Sequence, residues 1–202
     1  MAPPRKHETD VILDATRALV LRHGPRAASV AAIAKASGAP AGTLYHRFGN
    51  RDGVVTAAWL RAVERFQSRA LAAAADRPVD TALETATAMA VAAVGFAREL
   101  PDDARLLLTI RPDDLRDGQP DAAFRQILAA MNAPLIERVH ELAERLYGSS
   151  DPRALDAVNR AIADLPYAVI RRHAHDEPMP SWLEADVAAS ARAVLQSFGE
   201  GA

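Results

Sequence analysis

Ser29-Val-Ala-Ala-Ile-Ala-Lys-Ala-Ser-Gly-Ala-Pro-Ala-Gly-Thr-Leu-Tyr-His-Arg-Phe48 is the stretch whose reading decides the fold. Ser29 has the side chain of a helix N-cap and precedes a short apolar run from Val30 to Ala36. Ser37-Gly38-Ala39 reads as a tight turn. Pro40 suits the first position of the next helix, where its missing N–H would have no partner in any case. That helix is brief and ends near Arg47. Two short helices joined by a glycine-bearing turn make a helix-turn-helix, with Ile33, Ala34, Leu44 and Phe48 as the positions that clamp it onto a third helix.

Upstream, the spacing predicts that third helix from about Glu8 to Arg22. Glu8 and Asp10 lie near its positive end, Gly24-Pro25 stops it, and Ile12, Ala15 and Leu19 form its core stripe. Downstream, Gly49-Asn50 breaks the chain and caps a long fourth helix from Arg51 to about Ala75, through Val54, Val55, Trp59, Val63 and Phe66. No later window alternates with period two, and apolar residues recur at three and four positions. Asp76-Arg-Pro-Val79 separates helices 4 and 5, Thr81 with Glu84 caps helix 5, and Pro101-Asp-Asp opens helix 6. Arg111-Pro112 to Gly118-Gln-Pro120 is a polar loop. Helix 7 spans about Asp121 to Tyr147 with a bend at Pro134, Asp151-Pro152 opens helix 8, and Ser181 with Glu184 caps helix 9. The expectation is an all-α chain of about nine helices: a helix-turn-helix domain over 1–51 and a helical domain over 52–202.

The last two helices carry two seams. Leu155, Val158, Ile162, Leu165 and Val169 are spaced three, four, three and four; Leu183, Val187, Ala191, Val194 and Phe198 are spaced four, four, three and four. Such spacing suits helices packed nearly parallel. Each seam packs either on its own domain or across a four-helix dimer interface, and two of them behind a DNA-binding head favour the dimer.

Bulk properties bound the function. Of 202 residues, 50% are hydrophobic and 25% charged, enough to bury a core without a staple. Cysteine is absent, which excludes disulfides, thiolate nucleophiles and cysteine-ligated zinc. No apolar run reaches the roughly 20 residues of a membrane helix, and the first residues lack the apolar core of a signal peptide, so a soluble, cytoplasmic protein is expected. Net charge is only −2, but residues 1–51 carry eight Lys/Arg against three acids, while the other 151 carry 16 basic and 23 acidic residues. A basic head on an acidic body fits a polyanion-binding module joined to a separate partner domain.

Ile12-Leu-Asp-Ala-Thr-Arg-Ala-Leu19, Gly24, the stretch from Ser29 to Phe48, and Asn50-Arg-Asp-Gly-Val-Val55 together resemble the TetR family of bacterial repressors over about a quarter of the chain. The resemblance implies a ligand-responsive repressor that binds a palindromic double-stranded DNA operator as a homodimer and is released by a small, mostly apolar inducer. Carried over position by position, it puts Thr43 against base edges and Tyr45 and His46 on phosphates, with Gly42 allowing close backbone approach. Arg51, at the positive end of helix 4, and Ser29 become phosphate contacts. Where many relatives carry Ser-Lys, this chain has Pro40-Ala41, which removes a cation and leaves apolar contact, as with a thymine methyl. Readout then rests more on Thr43 and Arg47. Arg47 reads equally as a solvated surface charge, and Tyr45 also as a partly buried aromatic holding helix 3. Arg5 and Lys6, beside Pro3-Pro4, read as a disordered arm adding DNA contacts or as an inert tail.

The resemblance also implies an inducer pocket among helices 4 to 7. The candidates are Phe66, Met89, Phe96, Leu107, Phe124, Met131 and Tyr167, with Arg111 or Arg171 as a polar anchor. No cofactor, metal or catalytic role is expected. His173-Ala-His-Asp-Glu177 fits a solvated helix end, and His140-Glu141-Leu-Ala-Glu144 lacks the second histidine of a zinc-protease helix. A second class of function stands beside the first: a helical small-molecule-binding or interaction protein whose head lacks specific DNA recognition, a reading that Pro40-Ala41 keeps open.

Overall fold

The structure is a computed structural model and describes residues 5–75, 81–111 and 122–199. Every regular element among these residues is a helix. In chain order they are α1 Arg5–His23, a 3-10 turn Pro25–Ala27, α2 Val30–Ser37, α3 Ala41–Phe48, α4 Arg51–Ala75, α5 Ala82–Glu99, α6 Pro101–Thr109 and α7 Ala122–Tyr147. Then α8 runs as Pro152–Asn159, a π-turn Arg160–Asp164 and Leu165–His173, followed by α9 Leu183–Gly199. The all-α class and the nine helices agree with the sequence. The break at 76–79 and the polar loop from Pro112 lie outside the described residues. Backbone packing divides the chain into two compact units, Met1–Glu64 with Asp102–Ala122 and Arg65–Pro101 with Ala123–Ala202.

The first unit is organised by local stop and start signals. Gly24 takes φ 81° and its N–H donates to Val20 O at 2.8 Å, ending α1. Ser29 Oγ accepts from the Ala32 N–H at 3.2 Å and starts α2, and Gly38, at φ 71°, ends it in the left-handed cap that glycine alone adopts freely. Pro40 is the cap residue of α3 rather than its first turn. Its carbonyl accepts from Thr43 N at 2.9 Å and Leu44 N at 3.4 Å. Ile33 and Leu44 are fully buried, whereas Ala34 and Phe48 are half-buried.

Two expectations about α1 change. The helix begins at Arg5, so the arm at Arg5 and Lys6 belongs to it. Its buried stripe is Ile12, Leu13, Thr16 and Val20, with Ala15 and Leu19 only half-buried. Polar Thr16 hid that stripe: at 0% exposure its hydroxyl donates to Ile12 O at 2.8 Å, so its own helix satisfies it. Around this core, Trp59 Nε1 donates to Ile110 O at 3.1 Å.

The second unit is built round α5, which packs against α9 and α8. Ala86, Ala90, Ala93 and Ala97 are buried at four-, three- and four-residue steps, so neighbouring backbones can come close. Pro134 sits inside α7 on its exposed side, where the backbone carbonyl that loses its N–H partner is open to solvent. In α8, Pro166 has no N–H and its ring would strike the carbonyl four residues back. The chain absorbs this as the π-turn, with Leu165 N–H bonding Arg160 O. The extra residue rotates the buried face from Val158 and Ile162 to Pro166 and Ile170, so Leu165 and Val169, expected on the seam, are only half-buried. At α9 the expected capping box is replaced, because the Glu184 carboxylate pairs with the Arg98 guanidinium and Asp186 N–H donates to Trp182 O at 3.1 Å.

Candidate functional site

The outward face of α3 is the only side of it that chemistry can use, since Leu44 at 0% exposure fixes the opposite side. Pro40, Ala41, Gly42, Tyr45 and His46 are exposed and Thr43 is half-buried. Tyr45 stands 56% exposed, so it is not the buried strut its second reading made it. A Cβ built on Gly42 would meet nothing within 4 Å, so hydrogen at this position leaves room outside the helix rather than inside the core. Ser29, at the start of α2, is exposed although its oxygen also caps the helix.

The exit of α3 is fixed by two residues. Gly49 N donates to Tyr45 O at 2.9 Å, and Asn50 Oδ1 accepts from Gly53 N at 2.9 Å, capping α4. A Cβ on Gly53 would lie 1.9 Å from the Phe48 carbonyl oxygen, so only glycine fits. The sequence reading passed over Gly53, whose signal was its place in Asn50-Arg-Asp-Gly.

The arginines are arranged differently from expectation. Arg47 is half-buried and its Nη1 donates to Thr9 Oγ1 at 3.1 Å, bracing α3 against α1. Arg51 reaches back so that Nη2 donates to Pro25 O while Nη1 pairs with Asp52. The two side chains from which the sequence drew positive charge near the groove are thus bonded within the protomer. Farther along, Arg61 donates to Asp10 Oδ1 at 3.0 Å and to Asp14 Oδ1 at 2.5 Å. Arg17 pairs with Asp14 at 3.4 Å and with Asp103, which is 1% exposed.

In the second unit, Met89, Phe96 and Phe124 are buried, Met131 is half-buried, and the half-buried Phe66 meets the Phe96 ring edge-on at 5.5 Å. Tyr167 is 47% exposed and Arg171 is exposed, so neither lines the interior. Leu107, half-buried, and Arg111, exposed, belong to the first unit. Near Phe66 in sequence is a polar pair that the sequence reading missed: Gln67, 8% exposed, donates from Nε2 to Asn132 Oδ1 at 2.6 Å. Only their separation of 65 residues concealed it. None of the named candidates lines the open apolar groove of about 680 Å³ bordered by Ala73, Val91, Ala92, Ala188 and Arg192.

Of the seam residues, Val158, Ile162, Leu183, Val187 and Ala191 are already buried inside the protomer; Leu155, Leu165, Val169, Val194 and Phe198 are half-buried. The ring of Phe198 packs on Tyr147 at 4.5 Å. These rows mainly close the unit on itself. The exposed apolar side chains of the same helices include Ala163, Tyr167 and Ala168 on α8 and Ala185, Ala189 and Ala193 on α9. His173 Nδ1 bonds Asp176 Oδ2 at 2.7 Å, and no cluster able to hold a metal occurs among the described residues. No described helix is long and apolar enough to cross a membrane.

Residues 12–58 match the family described as bacterial regulatory proteins, tetR family. The HTH-type transcriptional repressor ComR of Escherichia coli (strain K12) is 36% identical over 66 residues, which are 33% of this chain and 31% of that protein, so the match spans about a third of the relative's length. Among solved structures, a TetR-like transcriptional regulator from Rhodococcus sp. RHA1 superposes with TM-score 0.72 at 20% identity over 100% of both chains. The fatty acid degradation regulator FadR from Bacillus halodurans does so with TM-score 0.67 at 20% identity, over 96% of this chain and 98% of that one. At these identities the likeness speaks for the fold.

Proposed function

We propose that the chain, whose residues 12–58 match the tetR family of bacterial regulatory proteins, is a ligand-responsive transcriptional repressor that binds a palindromic operator as a homodimer. The observation that carries this is the outward row of α3, where Gly42, Tyr45 and His46 face solvent over a helix anchored by buried Leu44. Such a row fits a major groove. Residues 1–51 are the operator-contacting part and 52–202 the effector and pairing part. Buried Phe96, Met89 and Phe124 make an apolar effector the fitting class, with Gln67 and Asn132 as its polar recognition pair. Effector occupancy reaches the head through α4, which has residues in both compact units. Tyr167, Ala163, Ala185 and Ala189 form the pairing face. The cytoplasm is the compartment where such a protein acts.

A second reading has one observation in its favour. Pro40-Ala41 supplies no cation, and Arg47 and Arg51 are bonded internally, so base-specific grip rests on few groups. Gel shifts against the gene's own upstream region at rising salt separate the two readings. A repressor binds one palindrome far more tightly than arbitrary duplex, with affinity falling steeply as salt rises. Equal affinity for every duplex favours a helical effector-binding protein without specific recognition.

A further inference from the structure

Arg47 and Arg51, two of the cations of residues 1–51, do not lie where the sequence suggested. Arg17, Arg47 and Arg51 have partners inside the protomer, and the α1 acids Asp10 and Asp14 are held by Arg61 and Arg17. Three cations of the head remain exposed without an acidic partner among the described residues: Arg22, Arg26 and Lys35. Two of these share one corner. Arg22 is in the last turn of α1, where its Nε donates to Ala18 O at 3.2 Å and leaves the rest of the guanidinium outward. Arg26 is in the 3-10 turn two residues after Gly24.

That corner is tied to the starts of α4 and α2. The Arg51 guanidinium, rooted at the first residue of α4, grips Pro25 O, next to Arg26. Three residues past Arg26, exposed Ser29 opens α2. Arg51 therefore acts as a positioning residue that holds the turn in place, and charge reaches solvent through its neighbour instead.

We infer that Arg22 and Arg26 form a backbone-phosphate-binding corner of the head, gripping the DNA strand beside the groove that α3 enters. Its ligand is the duplex phosphate chain, read without regard to base, and the inference rests on the DNA-binding reading above. It accounts for a head whose α3 lacks free cations: attraction comes from the α1–α2 corner and discrimination from α3.

The test is fluorescence anisotropy with a labelled 30-base-pair duplex of arbitrary sequence across a salt series. Each phosphate contact contributes roughly 0.9 to the slope of log affinity against log salt. Arg26→Ala should lower the slope by about 0.9 and Arg22→Ala with Arg26→Ala by about 1.8, while Arg26→Lys keeps it. Arg125→Ala, which removes an exposed cation of the other unit, should leave it unchanged. All variants should melt with wild type by circular dichroism. An unchanged slope in the double variant, or an equal drop in Arg125→Ala, overturns the corner while leaving DNA binding intact. Failure of wild type to bind the duplex at low salt overturns the DNA-binding reading and the corner with it.

Discussion

Tyr45 brings an aromatic ring and a hydroxyl to the surface of α3 at 56% exposure, a position that costs apolar surface and contributes nothing to the core. If the hydroxyl bonds a phosphate, Tyr45→Phe should weaken binding to all duplexes alike by about 1 kcal/mol, roughly fivefold, with unchanged melting. A loss confined to one sequence in competition gel shifts would assign it to base readout instead. Gly53 makes the opposite kind of demand. Because its Cβ would fall 1.9 Å from Phe48 O, Gly53→Ala should cost about 1–3 kcal/mol in urea denaturation through strain at the α3 exit. Stability equal to wild type would mean that the α3–α4 junction yields freely. At this scale the sequence was legible where the cause is local: Ser29, Gly24, Gly38 and Asn50 each act within four residues of themselves. It was not legible where the partner is remote. Arg47 meets Thr9, 38 residues away, and Arg51 meets Pro25, 26 away, and no spacing rule announces either.

Helices show the same division between local causes and distant ones. Asp151 caps α8 by accepting from Arg153 N and Ala154 N, each at 2.9 Å. Those bonds, chiefly the one from Ala154, hold its carboxyl below the ordinary carboxylate range. A depressed carboxylate stabilises the fold fully above its unfolded value, and that contribution disappears as pH falls through the lower folded value. Asp151→Asn keeps a capping oxygen without the titration, so the stability gap between wild type and this variant should shrink in acid below pH 3.8 and hold steady above it. A gap constant from neutral to strongly acid pH would deny the cap its charge. The ladder that joins α1 to α6 is a stronger constraint. Arg17→Met removes one charged partner of Asp103, 1% exposed, and should cost about 1.5–3 kcal/mol by urea denaturation. The π-turn explains why the seam of α8 was misread. A period of three and four assumes an unbroken helix, and Pro166 inserts one residue that shifts every later position onto another face.

For the molecule as a whole, the question is which surface pairs two copies, because a palindromic operator presents two half-sites related by a twofold axis. The apolar rows that suggested a dimer seam turned out to serve the protomer: Leu183, Val187 and Ala191 are each 1% exposed or less. An arginine at Val187 should therefore unfold the second unit rather than separate copies. The exposed side of α9 offers Ala185, Ala189 and Ala193 four residues apart, small enough for another helix to approach closely, and α8 adds Ala163 and the 47% exposed Tyr167. In a twofold interface each substitution is felt twice, once from each copy. Ala189→Arg and Tyr167→Arg should then give monomers by light scattering with helicity and melting close to the wild-type second unit, and both should lose the palindrome while keeping weak half-site binding. Dimers that persist in both variants would move the pairing surface elsewhere, with the exposed Ile127 and Ile136 of α7 the next face to test. An unfolded Ala189→Arg beside a folded Val187→Arg would reverse the assignment of inner and outer faces on α9.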